Sequence, residues 1–175
     1  MDHLHMQADP RLIRLLSQAN AEQLDGYLLV DLSISPLTQR LILRLHEQQR
    51  TLSLFQGTPE EGFSHIAPHL IRWGDLSATE RNQVIDLDQQ VPAFAWLWTS
   101  NEETPSPFSH LKSQMDMRLP NGDLAMLRYY DPHVWMKLMD ILDEEQKKEL
   151  IGPVQYWSVN VGQQRHVFDS QGTPI

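Results

Sequence analysis

Four side chains in this sequence have types that could share acid-base work: Asp31, Arg128, Asp131 and His133. Asp31 closes an apolar run, Tyr27 to Leu32, that reads as a buried strand, and open α/β sheets place their sites at the carboxyl ends of strands. Brought beside Arg128, Asp131 and His133, its carboxylate would form a proton-handling cluster of the kind a small cofactor-free hydrolase uses. The same residues have a purely structural reading. In that reading Asp31 caps the turn before Pro36, Asp131 caps a helix beginning at Pro132, and Arg128 pairs with one of the two. A second constellation, His65 and His69, has the spacing with which two imidazoles share a metal on one helix face. Pro68 lies between them and breaks that helix, and no acidic residue completes a His-Glu-x-x-His pattern, so no metal site is expected. The chain also lacks a phosphate loop, a dinucleotide fingerprint and a Gly-x-Ser-x-Gly elbow. No cofactor is implied, and each absence weakens an enzymatic reading.

A third group is aromatic. Phe94, Trp96 and Trp98 alternate along one strand, so three large rings share a face with Ala93, Ala95 and Leu97 behind them. Either a helix of the same chain covers that face or a partner does. Trp73, Trp135 and Trp157 close other elements and are expected in the core.

The elements that would position these groups are legible from periodicity and punctuation. Helices are expected over residues 9 to 23, from Ser35-Pro36, from about Ala78 to Leu87 behind a Ser77/Glu80 capping box, over Phe108 to Ser113, and from Asp131-Pro132. The Asp131 helix should turn Val134, Leu138, Ile141 and Leu142 to one side. Asp143 with Gln146 caps a further helix that Gly152-Pro153 ends. Glu60 and Glu61 fit the first turn of a short helix after Gly57-Thr58-Pro59. Strands are expected at Tyr27 to Leu32, Thr51 to Phe55, His69 to Trp73, Val91 to Thr99 and Val154 to Val161. Ser100 to Pro107 reads as a loop. Asn121-Gly122 predicts a two-residue type I′ hairpin setting Leu119 opposite Leu124 and Met117 opposite Met126, and its apolar face should be core scaffold. The polar tail, residues 163–175, should be loosely held. The fold class is therefore α/β (mixed α+β): a mixed sheet with an antiparallel hairpin, flanked by helices.

The whole chain sets bounds. At 175 residues it can bury about 70% of its unfolded surface as one domain without staples. It has no cysteine, which removes disulfides, thiolate zinc sites and a cysteine nucleophile. A net charge of −9, with no basic block among 14 Lys and Arg, disfavours nucleic acid. No stretch is apolar enough for a membrane span, and the start lacks a secretory leader, so the expected compartment is cytoplasmic.

Several motifs, read in order, resemble one family. They are Tyr27-Leu28-Leu29-Val30-Asp31, Ser53-Leu54-Phe55-Gln56-Gly57-Thr58-Pro59-Glu60 and Ala67-Pro68-His69-Leu70, then Ser109-His110-Leu111, Leu119-Pro120-Asn121-Gly122, Leu127 to Val134 and Leu150-Ile151-Gly152-Pro153. Together, over about residues 27 to 158, they look like the adaptor or effector-chaperone proteins of bacterial type VI secretion. The sequence departs from that pattern at Lys112 and His133, where relatives often carry arginine.

The resemblance implies a non-catalytic cytoplasmic adaptor that holds a toxic effector protein and delivers it to the spike protein (VgrG). Arg128, Tyr130, Asp131 and His133 are the first candidate partner-binding surface, and Phe94, Trp96 and Trp98 the second. On that reading Arg128→Ala weakens partner binding and leaves the melting temperature unchanged. An immunity-type toxin-binding protein and a hydrolase using Asp31, Asp131 and His133 are the alternatives.

Overall fold

A computed structural model describes residues 9–100 and 106–175. The start of the chain and residues 101–105 of the expected Ser100 to Pro107 loop lie outside the described residues.

Three helices begin with a capping side chain followed by proline, a pair that satisfies one free N–H and removes another. Asp9-Pro10 opens α1 (Pro10–Ala21), Ser35-Pro36 opens α2 (Pro36–Glu47), and Asp131-Pro132 opens α5 (Pro132–Ile141). Reciprocal capping boxes start α3 (Ala78–Gln90), through Ser77 and Glu80, and α6 (Glu144–Ile151), through Asp143 and Gln146. The short α4 spans Phe108–Ser113. A 3₁₀ turn at Glu61–Phe63 follows Glu60.

Six strands form one sheet in the order β2-β3-β1-β4-β7-β8, and every ladder is antiparallel. They are β1 (Leu24–Asp31), β2 (Leu52–Ser53), β3 (Pro68–Arg72), β4 (Phe94–Ser100), β7 (Val154–Val161) and β8 (Gln164–Asp169). A separate hairpin joins β5 (Asp116–Arg118) to β6 (Leu124–Met126).

Helices cover both faces, which is why the central strands read as continuous apolar runs. On one face α1, α2 and α3 set Leu12, Leu15, Ile42, Leu45 and Val84 against Leu28, Val30, Phe94, Trp96 and Trp98. On the other, α4, α5 and α6 set Leu111, Trp135, Leu138 and Ile151 against Leu29, Ala95, Leu97, Trp157 and Phe168. Trp135 and Trp157 stack with centroids 3.8 Å apart and planes inclined by 2°. Among the described residues no helix is long and apolar enough to cross a membrane.

Four expectations need correction. Residues 163–175 are not loose. Gly162 and Gln163 form the tight turn, with φ of 60° and 62°, and β8 pairs with β7 along its length. Arg165 made the tail look polar, but its guanidinium is buried between Asp88 and Asp9, and Phe168 packs on Trp135. The type I′ geometry expected at Asn121-Gly122, with two successive positive φ angles, occurs here instead.

At Asn121-Gly122 only Gly122 has a positive φ, 89°, and its N–H bonds the Leu119 carbonyl at 2.9 Å. Pro120 fixes the φ that favours the i+1 position of a type I turn, and Gly122 completes a three-residue loop. The register therefore moves by one, pairing Met117 with Ala125 and Arg118 with Leu124. That slip turns Leu124 outward, leaving it 67% exposed, so the hairpin is a surface ribbon rather than core scaffold. In α5 the buried side is Trp135, Leu138 and Met139, whereas Ile141 is 75% exposed.

Candidate functional site

The turn after β1 and the segment before α5 meet. Asp31 is fully buried, and its Oδ1 accepts from Ser33 N at 2.9 Å and from Ser33 Oγ at 2.6 Å. Its Oδ2 accepts from Arg128 Nη2 at 3.1 Å, and the same nitrogen donates to Ser33 Oγ at 3.0 Å. Asp131 lies 3.8 Å from Arg128 Nη2, and its Oδ1 accepts from the backbone N–H of His133 at 2.9 Å. The four residues named from sequence are thus assembled, with each carboxylate already engaged in holding a turn or a helix start. His133 stands at the margin, its side chain 58% exposed and Nδ1 3.8 Å from Asp131 Oδ1.

The two tyrosines between Arg128 and Asp131 point inward. Tyr129 is buried edge-on against Trp157 and donates to the Leu111 carbonyl of α4 at 2.5 Å. Tyr130 is buried, and its hydroxyl reaches Met126 Sδ of β6 at 3.4 Å. Burial, with the Asp31 carboxylate nearby, pushes its hydroxyl up to about 12. Arg128-Tyr129-Tyr130-Asp131 is therefore a hub that fastens β1, α4, the hairpin and α5 to one another. Of the first candidate partner surface, Tyr130 presents no face and Asp131 serves as a helix cap, while the Arg128 and His133 side chains stay 48% and 58% exposed. The aromatic strand is corrected likewise, because Phe94, Trp96 and Trp98 lie under α1 to α3 with at most 2% exposure.

What this hub holds open is a groove of about 800 Å³. One wall is the turn Gly57-Thr58-Pro59-Glu60, the second is α4 through Phe108 and Lys112, and the third is the hairpin through Asp116, Leu124 and Met126. Lys112 Nζ donates to the Gln56 carbonyl and lies 5.9 Å from the Phe108 ring centroid, tying α4 to the turn. Gly57 has a φ of 71°, and a Cβ there would sit 3.3 Å from Lys112 Nζ, so that position suits glycine. Met115 forms a buried floor, while Leu124 stands out at the rim. Three motifs noted in the sequence, Ser53 to Glu60 through its last four residues, Ser109 to Leu111 and Leu119 to Gly122, thus belong to elements around one concavity.

Residues 26–149 match the family described as a domain of unknown function, DUF4123. The chain belongs to that family. No curated protein and no solved structure matches it. The DUF4123 match runs from β1 into α6 and so includes the hub and all three walls of the groove. It leaves out α1, β7 and β8, although Trp157 and Phe168 complete the core beneath α5.

Sequence reasoning missed two buried polar assemblies in this DUF4123 domain. In one, the Thr51 hydroxyl bridges His46 Nδ1 at 3.0 Å and His69 Nδ1 at 2.9 Å, and His69 Nε2 reaches the Ser64 carbonyl at 2.8 Å. Nε2 must donate to that carbonyl, so Nδ1 of neutral His69 accepts from Thr51, which accepts from His46 in turn. Burial drives the His69 imidazole down to about 4. His65 is exposed, so the two histidines do not face a common ligand. The other assembly is Arg165 with Asp88 and Asp9, joining β8 to α3 and to the start of α1.

Proposed function

We propose that this DUF4123 protein is a non-catalytic cytoplasmic adaptor of type VI secretion, binding a toxic effector and loading it onto the spike protein. The observation that carries the proposal is the groove. Residues far apart in sequence form a concavity with an exposed apolar rim, and the Arg128 to Asp131 hub fastens two of its walls, α4 and β6. Pockets of this size hold several side chains of a ligand, and rigid concave surfaces lose little freedom on binding. The non-catalytic part of the reading is supported by the carboxylates. Asp31 is enclosed and bonded on both oxygens, and Asp131 is a helix cap, so a hydrolytic role would require breaking the contacts that hold the fold.

The test is delivery. In the native bacterium, removing this chain should abolish export of one effector while other effectors still leave the cell. Restoring the chain should restore export, and restoring it with Leu124→Asp should not. Self-intoxication on removal, with export intact, would instead identify an immunity protein and overturn the adaptor reading.

A further inference from the structure

We infer that the groove takes an extended, amphipathic segment of the cargo whose apolar residues are flanked by lysine or arginine. This rests on the adaptor reading and adds the chemistry of the docked segment. Three observations carry it. The floor and rim are apolar, with Met115 beneath, Phe108 on α4 and Leu124 outermost.

The charge on the walls is unbalanced toward acid. Glu60 and Asp116 face the groove, and among the described residues neither carboxylate has a hydrogen-bond or ion-pair partner, while Lys112 is spent on the Gln56 carbonyl and the Phe108 ring. The whole chain adds a net −9, which draws a basic segment inward. The hairpin, finally, is a two-strand sheet, so among the described residues each of its strands keeps one unpaired edge. An extended segment can bond such an edge through its backbone while alternate side chains enter the groove. Apolar side chains of the segment meet Met115 and Leu124, and the long basic side chains beside them reach Glu60 and Asp116 on the walls of the same groove.

The test uses short fluorescein-labelled peptides of equal length, alternating Leu with Lys, Leu with Glu, or Ser with Lys, titrated into the intact chain by fluorescence anisotropy. The Leu/Lys peptide should bind at least about tenfold tighter than either of the others. Glu60→Gln with Asp116→Asn should remove most of that preference, and Leu124→Ser should weaken Leu/Lys binding with circular dichroism unchanged. Equal binding of Ser/Lys and Leu/Lys would mean that only net charge is sensed, and the inference fails. Binding of Leu/Glu as tightly as Leu/Lys, or indifference to the carboxylate variants, overturns it too. Failure with these peptides, while effector capture still depends on Leu124, removes the charge rule and leaves the adaptor reading. Failure to capture any effector removes the adaptor reading itself.

Discussion

Replacing Arg128 with alanine should destabilise the protein, because the side chain compensates a carboxylate that water cannot reach. Asp31 is 0% exposed, and of its partners only Arg128 Nη2, 3.1 Å away, carries charge. Removing one member of a fully buried pair costs about 3–5 kcal/mol. Here the Arg128 side chain is 48% exposed, so solvent screens the pair and the expected loss falls to about 1–3 kcal/mol. For a chain of this size that lowers Tm by roughly 3–10 °C. Thermal unfolding followed by circular dichroism measures the shift, and urea unfolding with an unchanged slope would confirm that compactness is unaltered. Asp31→Asn in the same background should recover part of the loss, since the buried charge is then gone while the Ser33 bonds can remain. A Tm within about 1 °C of the parent would refute the strut assignment, because that is what an exposed ion pair gives.

Stability should fall on acidification through the window set by His69. Its imidazole titrates near 4 in the folded protein and ordinarily at about 6.5, so the unfolded chain binds more protons between those values. The contribution is present above about pH 6.5 and is lost as pH falls toward 4, up to about 3 kcal/mol in all, and His69→Gln should flatten that part of the stability profile. Gly152→Ala should be among the most disruptive single changes. Its φ of 56° costs a side chain on the order of 1–2 kcal/mol, and a Cβ would lie 2.3 Å from the His110 ring that bonds the Leu150 carbonyl. Chemical denaturation checks it. Truncation after Val161 should abolish cooperative unfolding, because it strips β8 from β7 and removes Arg165 from Asp88 and Asp9.

Local rules were enough to read the helices. Capping pairs at Ser35-Pro36, Ser77/Glu80, Asp131-Pro132 and Asp143/Gln146 depend on neighbours in the chain, and each begins a helix in the structure. The strand at Tyr27 to Leu32 was legible because burial on both faces writes an apolar run from Tyr27 to Val30, whereas Val154 to Val161, interrupted by Gln155, Ser158 and Asn160, was legible from its β-branched and aromatic residues. What failed depended on distant partners. Arg165 counts as polar in any window, yet Asp88 lies 77 residues away and takes it into the core. The hairpin register turned on Pro120, one residue outside the Asn-Gly pair, and a one-residue slip decides whether Leu124 is buried or presented. The Arg128 to Asp131 run was rightly picked out, but its inward role followed only from Ser33, Leu111 and Met126 being its partners. The groove had no signature of its own, because the turn Gly57 to Glu60 that closes it lies dozens of residues before α4 and the hairpin.

Whether this DUF4123 protein carries an effector to the spike through the groove is decided by affinity capture from the native bacterium. The parent chain and Leu124→Asp serve as parallel baits, and captured proteins are identified by mass spectrometry. A spike protein and a toxic effector should come down on the parent bait, and the effector should be lost on the variant. Recovery of neither by the parent bait, from cells expressing the secretion apparatus, would contradict the adaptor reading.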